Sequence, residues 1–164
     1  MAFWLMKSEP AEVSIDDLAA APRQTLPWFG VRNYQARNFL RDSMQIGDLA
    51  FFYHSGCAEP GIAGLCEICS EAYPDATQFA APSGLLPAGA VNPYIDPKSD
   101  PAAPRWWLRD VRFVGKSRNV PLAELRAQPE LATMRLLARG NRLSITPVSP
   151  AEWAFITEKL IGQQ

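Results

Sequence analysis

The sequence has little of what a metal or disulfide scaffold needs: three cysteines and a single histidine in 164 residues. An odd number of unevenly spaced thiols builds no disulfide framework, which agrees with a reducing compartment. Long apolar runs are missing too. No segment approaches the roughly 20 residues of a membrane span, and MAFWLMKSEP lacks the basic start and long apolar core of a secretory signal. A cytoplasmic chain that enters no membrane is therefore expected. A strong basic excess is also lacking, since the net charge is -1. A non-specific duplex binder usually carries a strongly basic domain, because neutralised phosphates supply its affinity. The charge is nonetheless uneven: residues 1–104 hold 6 Lys+Arg against 12 Asp+Glu, and residues 105–142 hold 9 against 3. The arginines thus form one basic face or a solvated surface.

What is present is the composition of an ordinary globular domain, long enough to bury most of its apolar side chains in a single unit spanning residues 1–164. FWLMKS reads as a first strand closed by Glu9-Pro10. Ser14 is placed to cap a short helix through Ala21, with Asp16 and Asp17 in its first turn. Asn33 is placed to cap a second helix over residues 34–44, whose apolar face is Ala36, Phe39, Leu40 and Met44. LAFFYHS and GIAGLCEICSEAY form an antiparallel hairpin after the Gly47-Asp48 turn. Residues 74–104, rich in Pro, Ala, Gly and Asp, make an excursion without periodicity. RWWLRDVRFVGKSRNVP returns to strand character. Two helical segments follow, PLAELRAQ and residues 130–138, then the strand RLSITPV and a terminal helix opened by Pro150 with Trp153, Ile156, Leu160 and Ile161 on one face. Strands scattered among helices, without regular βαβ alternation, predict an α+β fold with a small mixed barrel or strongly curved sheet.

His54, Cys57, Cys66 and Cys69 spell H-x2-C-x8-C-x2-C, a donor set that suits tetrahedral zinc. Cys66 and Cys69, however, stand three apart in a run that reads as a strand, and such side chains point to opposite faces. No metal site is expected, and the two cysteines read as small buried hydrophobes. Lys7 beside Ser8, with Glu67 across the sheet, is the one arrangement that suggests an activated hydroxyl; its spacing is common by chance, and no catalytic residue is assigned.

WFGVRNYQARN, residues 28–38, alternates aromatic rings with Arg and Asn, the side chains that stack on a planar base and pair with its edge. Trp28, Tyr34 and Tyr53 would supply walls; Asn33, Arg37, Asn38, His54 and Ser55 a polar edge. Each also has a plain structural role open to it: core packing for Trp28 and Tyr53, a helix cap for Asn33, an ion pair for Arg37.

Taken together, WLMKSEP, W-x-GVRNYQARN, MQIGDLAFFYHS, GIAGLCEI, PRWW and LLARGNRLSITPVS resemble the successive motifs of the EVE domain family over nearly the whole chain. The resemblance implies a PUA-like curved mixed β-barrel flanked by helices, with a pocket between the barrel and the helix after Trp28. Family members are implicated in binding bases such as 5-methyl- and 5-hydroxymethylcytosine, and the related YTH domains hold a methylated adenine in an aromatic cage. Carried over by motif, the pocket would comprise Lys7, Ser8, Trp28, Val31, Asn33, Tyr34, Arg37, Tyr53, His54, Ser55, Leu143, Ser144 and Pro147, with phosphate contacts from Arg41 and Arg105. The implied partner is DNA or RNA carrying a modified base, or a modified nucleotide, bound by a monomer without cofactor. The more distant ASCH domains include amidohydrolases that act on acylated cytidine with a Lys, a Ser or Thr and a Glu, so Lys7 and Ser8 also sustain an enzymatic alternative.

Overall fold

Along FWLMKS the side chains alternate, and both faces are buried: Trp4 and Met6 join one core cluster, Leu5 another. Such a strand needs packed side chains above and below its sheet. The computed structural model, which describes residues 1–79, 86 and 91–162, has eight strands among those residues. They are β1 (Phe3–Ser8), β2 (Thr25–Pro27), β3 (Leu49–His54), β4 (Gly61–Ile68), β5 (Tyr73–Pro74), β6 (Trp107–Leu108), β7 (Asp110–Pro121) and β8 (Ile145–Val148). Six form one mixed sheet in the order β2-β7-β4-β3-β1-β8, and β5 pairs with β6. Helices α1 (Ile15–Ala20), α2 (Tyr34–Asn38), α3 (Leu122–Arg126) and α4 (Pro150–Phe155) complete the expected α+β fold. No described helix is long and apolar enough to cross a membrane.

The centre of the sheet is the expected β3-β4 hairpin, with β1 running parallel to β3 and antiparallel to β8. The buried Asp48 carboxylate fixes where β1 begins: it accepts from the Ala2 and Gln45 backbone N–H groups and from the Trp4 indole, each at 3.0 Å. Register shifts between Phe52 and Tyr53, Ile62 and Gly64, and Leu65 and Cys66 bend the middle strands; bulges increase twist locally and re-aim side chains. Gly64 lets α1 close onto the sheet, since a Cβ there would lie 2.8 Å from Ile15 Cδ1. One face packs Met6, Phe52, Cys66 and Val111 against Ile15, Leu18 and Leu40. The other packs Leu5, Phe51 and Tyr53 against Leu125, Trp153 and Ile156.

Several elements differ from the sequence reading. The helix expected over 34–44 is α2 followed by a wide π turn at Phe39–Ser43. Its wide bond runs from Met44 N–H to the Phe39 carbonyl at 2.8 Å, and the buried Arg109 donates to the last-turn carbonyls of Leu40 and Arg41. Turning Arg109 inward also interrupts RWWLRDVRFVGKSRNVP, which becomes β6 and β7. The third expected strand stops at Ile68, and Ser70 Oγ then accepts from Asp110 N–H at 2.8 Å. Residues 130–138 form no continuous helix but lie in two 3-10 turns, Pro129–Leu131 and Arg135–Leu137. The expected Ser14 cap is present as a full capping box with Asp17.

Candidate functional site

The ends of three neighbouring strands meet at one edge. Ser8 pairs with His54 in the parallel ladder, Ser55 N–H donates to the Ser8 carbonyl at 2.9 Å, and Lys7 N–H donates to the Ser144 carbonyl at 2.8 Å. The loop after β2 approaches from the other side, anchored where Trp28 N–H meets the Arg109 carbonyl at 2.9 Å. Between them lies a cavity of about 370 Å³. Its apolar floor is Leu26, Trp28, Val31, Phe52 and Val111, with Trp28 set edge-on to Phe52 at 5.3 Å. Glu9, Ser55, Arg142 and Ser144 form its polar rim. Their side chains have no hydrogen-bond partner among the described residues, so they are available to a ligand.

Tyr94 closes one side of the cavity. Its ring meets Phe29 edge-on at 5.6 Å, and its hydroxyl donates to the Glu12 carboxylate. The position is set by Arg32, whose Nη2 donates to the Tyr94 carbonyl at 2.8 Å and to Thr77 Oγ1 at 3.0 Å, while Nη1 pairs with the fully buried Asp75 at 3.2 Å. Asp75 in turn accepts from Gly30 N–H at 2.8 Å. Gly30 has φ +89°, and a Cβ there would fall 2.9 Å from the Tyr94 ring; only glycine suits both constraints. Next to Glu12 and Glu9, burial and the carboxylates push the Tyr94 phenol well above its ordinary range.

Of the residues expected at a pocket, Lys7, Ser8, Trp28, Val31, Ser55 and Ser144 line this cavity. The others do not, each for a physical reason. Tyr53 lies in the core on the opposite face of the sheet, as its neighbour Phe52 takes the cavity side. His54 Nε2 accepts from the Ile15 backbone N–H at 3.1 Å, the first orphan donor of α1. Burial holds its pKa below the ordinary value, with Asp16 and Asp17 opposing and Lys116 reinforcing the shift. Asn33 caps α2 through Gln35 and Ala36 N–H. Tyr34 stacks on Trp106 at 5.0 Å outside the cavity, with Arg37 4.8 Å over its ring. Arg37 also donates to the Arg105 carbonyl at 2.9 Å. Leu143 is buried beside a second groove, and Pro147 sits opposite Trp4 in the sheet. Arg41 is paired with Asp42 at 2.8 Å, and Arg105 approaches the Tyr34 hydroxyl at 3.5 Å.

Sequence reasoning missed Glu9, Glu12, Leu26, Phe29, Tyr94 and Arg142. Glu9 and Arg142 stand inside the family motifs KSEP and ARGNRLS, next to Ser8 and Leu143. Tyr94 had no local signal, since long-range bonds from Arg32 place it. Among the described residues no three His, Cys, Asp or Glu side chains gather as a metal set. Burial pushes the Cys66 thiol up to about 12, so it stays protonated in the core.

The EVE domain model matches residues 2–159. The chain belongs to the EVE domain family. Human thymocyte nuclear protein 1 is 47% identical over 93% of this chain and 71% of its own length. A crystal structure of that human protein, THYN1, in complex with DNA containing 5-methylcytosine superposes with TM-score 0.84 at 46% identity, covering 96% of each chain. A protein from Pseudomonas putida superposes with TM-score 0.83 at 45% identity, covering 96% of this chain and 98% of its own. This EVE domain thus has the PUA-like fold of its relatives. An ASCH protein from Zymomonas mobilis shares the fold alone, with TM-score 0.58 at 7% identity over 97% of this chain and 99% of its own.

Proposed function

We propose that this EVE domain reads a modified cytosine in a nucleic-acid strand, taking the base out of the stack and into the cavity between β1, β3 and the loop after β2. The observation that carries the reading is the cavity itself, an apolar floor under a rim of unpartnered polar groups. At about 370 Å³ it lies near the lower end of the roughly 300–1,000 Å³ of small-molecule sites, which favours one base over a larger cofactor. Trp28, Val31 and Val111 offer apolar contact to the ring and its 5-substituent. Glu9 offers an acceptor, as the exocyclic amine of cytosine requires and the O4 of thymine rejects. The human relative's complex with 5-methylcytosine DNA supports the same ligand class.

The enzymatic alternative has less support. Lys7 and Ser8 are consecutive strand residues, and the Lys7 amine lies 5.9 Å from the Tyr53 ring while the Ser8 hydroxyl donates to the Val13 carbonyl at 2.7 Å. A hydroxyl so engaged is not held by a base. The test of the reading is a titration of single-stranded oligonucleotides differing only in one cytosine, plain, 5-methyl or 5-hydroxymethyl. At least one modified strand should bind several-fold more tightly than the plain one; equal affinities for all three would end the proposal.

A further inference from the structure

A second groove of about 360 Å³ opens next to the cavity, and Arg142 lines both. Its polar walls are Asn33, Gln35, Arg135, Arg139, Asn141 and Arg142, and no acidic residue lines it. Its arginines differ from most others in the chain. Arg32, Arg37, Arg41, Arg109, Arg112 and Arg118 each donate to a carbonyl, amide or carboxylate oxygen. Arg135, Arg139 and Arg142 are exposed, and none donates a hydrogen bond or forms an ion pair among the described residues. Arg135 has a contact that orients it, and Arg139 stands on an ordered turn. The Arg135 guanidinium lies 5.9 Å over the Phe39 ring. Arg139 stands in a turn closed by Asn141 N–H onto the Ala138 carbonyl at 3.1 Å, between buried Leu136 and Leu143.

We propose that this groove is a phosphodiester site, holding the backbone phosphates that flank the base in the cavity; the proposal rests on the base-reading function above. Unpaired guanidiniums match phosphate oxygens in fork geometry. Continuity through Arg142 means that a strand whose base enters the cavity passes its backbone along the groove. The ligand class is therefore a polynucleotide strand rather than a free base or nucleoside. The division of labour follows from charge: the carboxylate-bearing cavity rim faces the base, and the all-basic groove faces the backbone.

The test measures affinity between about 50 and 200 mM salt for a 5-methylcytosine strand and its plain counterpart. It compares wild type, R135Q/R139Q, R135K/R139K and R126Q, the last removing an exposed arginine outside the groove. Each phosphate neutralised on a single strand adds about 0.7 to the slope of log affinity against log salt. The double glutamine variant should lower that slope by roughly 1.4 and weaken both strands alike. The lysine pair should restore most of the slope, and R126Q should leave it near wild type. An unchanged slope in R135Q/R139Q, or an equal loss in R126Q, overturns the groove. Inorganic phosphate at millimolar concentration should not displace the strand at constant ionic strength; full displacement would make the groove a free-anion site and overturn the proposal. The two readings fail separately. A reduced slope without preference for the modified strand keeps the groove and ends the base reading, and a preference with unchanged slope does the reverse.

Discussion

His54 Nε2 accepts the backbone N–H of Ile15 at 3.1 Å, tying the end of β3 to the first turn of α1. The bond needs a neutral imidazole, because a protonated ring has no lone pair to offer. Burial lowers the His54 pKa in the folded state, so the folded chain binds fewer protons than the unfolded one as pH falls through the histidine range. Stability from this group is fully present above the unfolded pKa of about 6.5 and is lost as pH drops through the lower folded value. Thermal unfolding should show a falling midpoint below pH 6.5 that is reduced in His54→Gln. An identical pH dependence in that variant would remove His54 from the account. At pH 8 the His54→Ala substitution should cost about 1 kcal/mol, from the unsatisfied helix donor.

Gly30 and Tyr94 make a second test. Gly30→Ala forces a side chain into φ +89° and against the Tyr94 ring. The backbone term alone is about 1–2 kcal/mol, and displacement of Tyr94 would open the cavity wall. The expected result is a lower melting temperature with faster amide exchange over residues 75–78 and 94. Unchanged exchange there would mean that Tyr94 is not held by this contact.

The legible part of this molecule was local. The apolar strands FWLMKS and LAFFYHS, and the caps Ser14 and Asn33 before short helices, needed no long-range knowledge. The illegible part was decided at a distance. Arg109 reads as one charge in a strand, yet it folds inward, takes the last carbonyls of the helical segment after Asn38 and separates β6 from β7. Tyr53 and His54, being adjacent, could not both face a pocket beside Phe52; alternation along β3 sends Tyr53 into the opposite core and sets His54 edge-on to Phe52 at 5.6 Å. Tyr94 lies in a segment without periodicity, and only the Arg32 and Asp75 contacts bring it to Gly30. Six of the thirteen residues expected at the pocket line the cavity because KSEP, the Trp28 loop and the chain before β8 converge on one sheet edge.

Turnover is testable independently of binding. With the Ser8 hydroxyl committed to the Val13 carbonyl, incubation with N4-acylated cytidine should release no cytidine. Ser8→Ala should then leave both the absence of product and oligonucleotide affinity near wild type, apart from loss of one hydrogen bond worth about 1 kcal/mol of stability. Repeated turnover detected by mass spectrometry, abolished in Ser8→Ala, would place the enzymatic reading ahead of the reader.

Glu9 sits at the open rim, its carboxylate over Gly56, where a Cβ would fall 2.9 Å from Oε1. If it accepts from the exocyclic amine, Glu9→Gln keeps the shape but removes the charged acceptor. A specific base contact is worth about 1–3 kcal/mol of discrimination, so affinity for the cytosine strand should fall roughly 5- to 150-fold while affinity for a thymine strand changes little. Equal loss on both strands would assign Glu9 to general electrostatics.

The form of the nucleic acid gives the last prediction. A base enters the cavity only after leaving its stack, at a cost of a few kcal/mol that is least in single strands and mismatches. The chain has a net charge of -1, so outside the groove lined by Arg135, Arg139 and Arg142 it has little sequence-independent attraction to offset that cost. Affinity for one modified cytosine should therefore rank single strand and mismatched duplex above closed duplex at about 0.15 M salt, near the physiological value. The gap should narrow as salt is lowered, because phosphate contacts strengthen while the unstacking term stays nearly constant. Tighter binding to the closed duplex at 0.15 M salt would show that the protein engages both strands, through a basic surface wider than the groove.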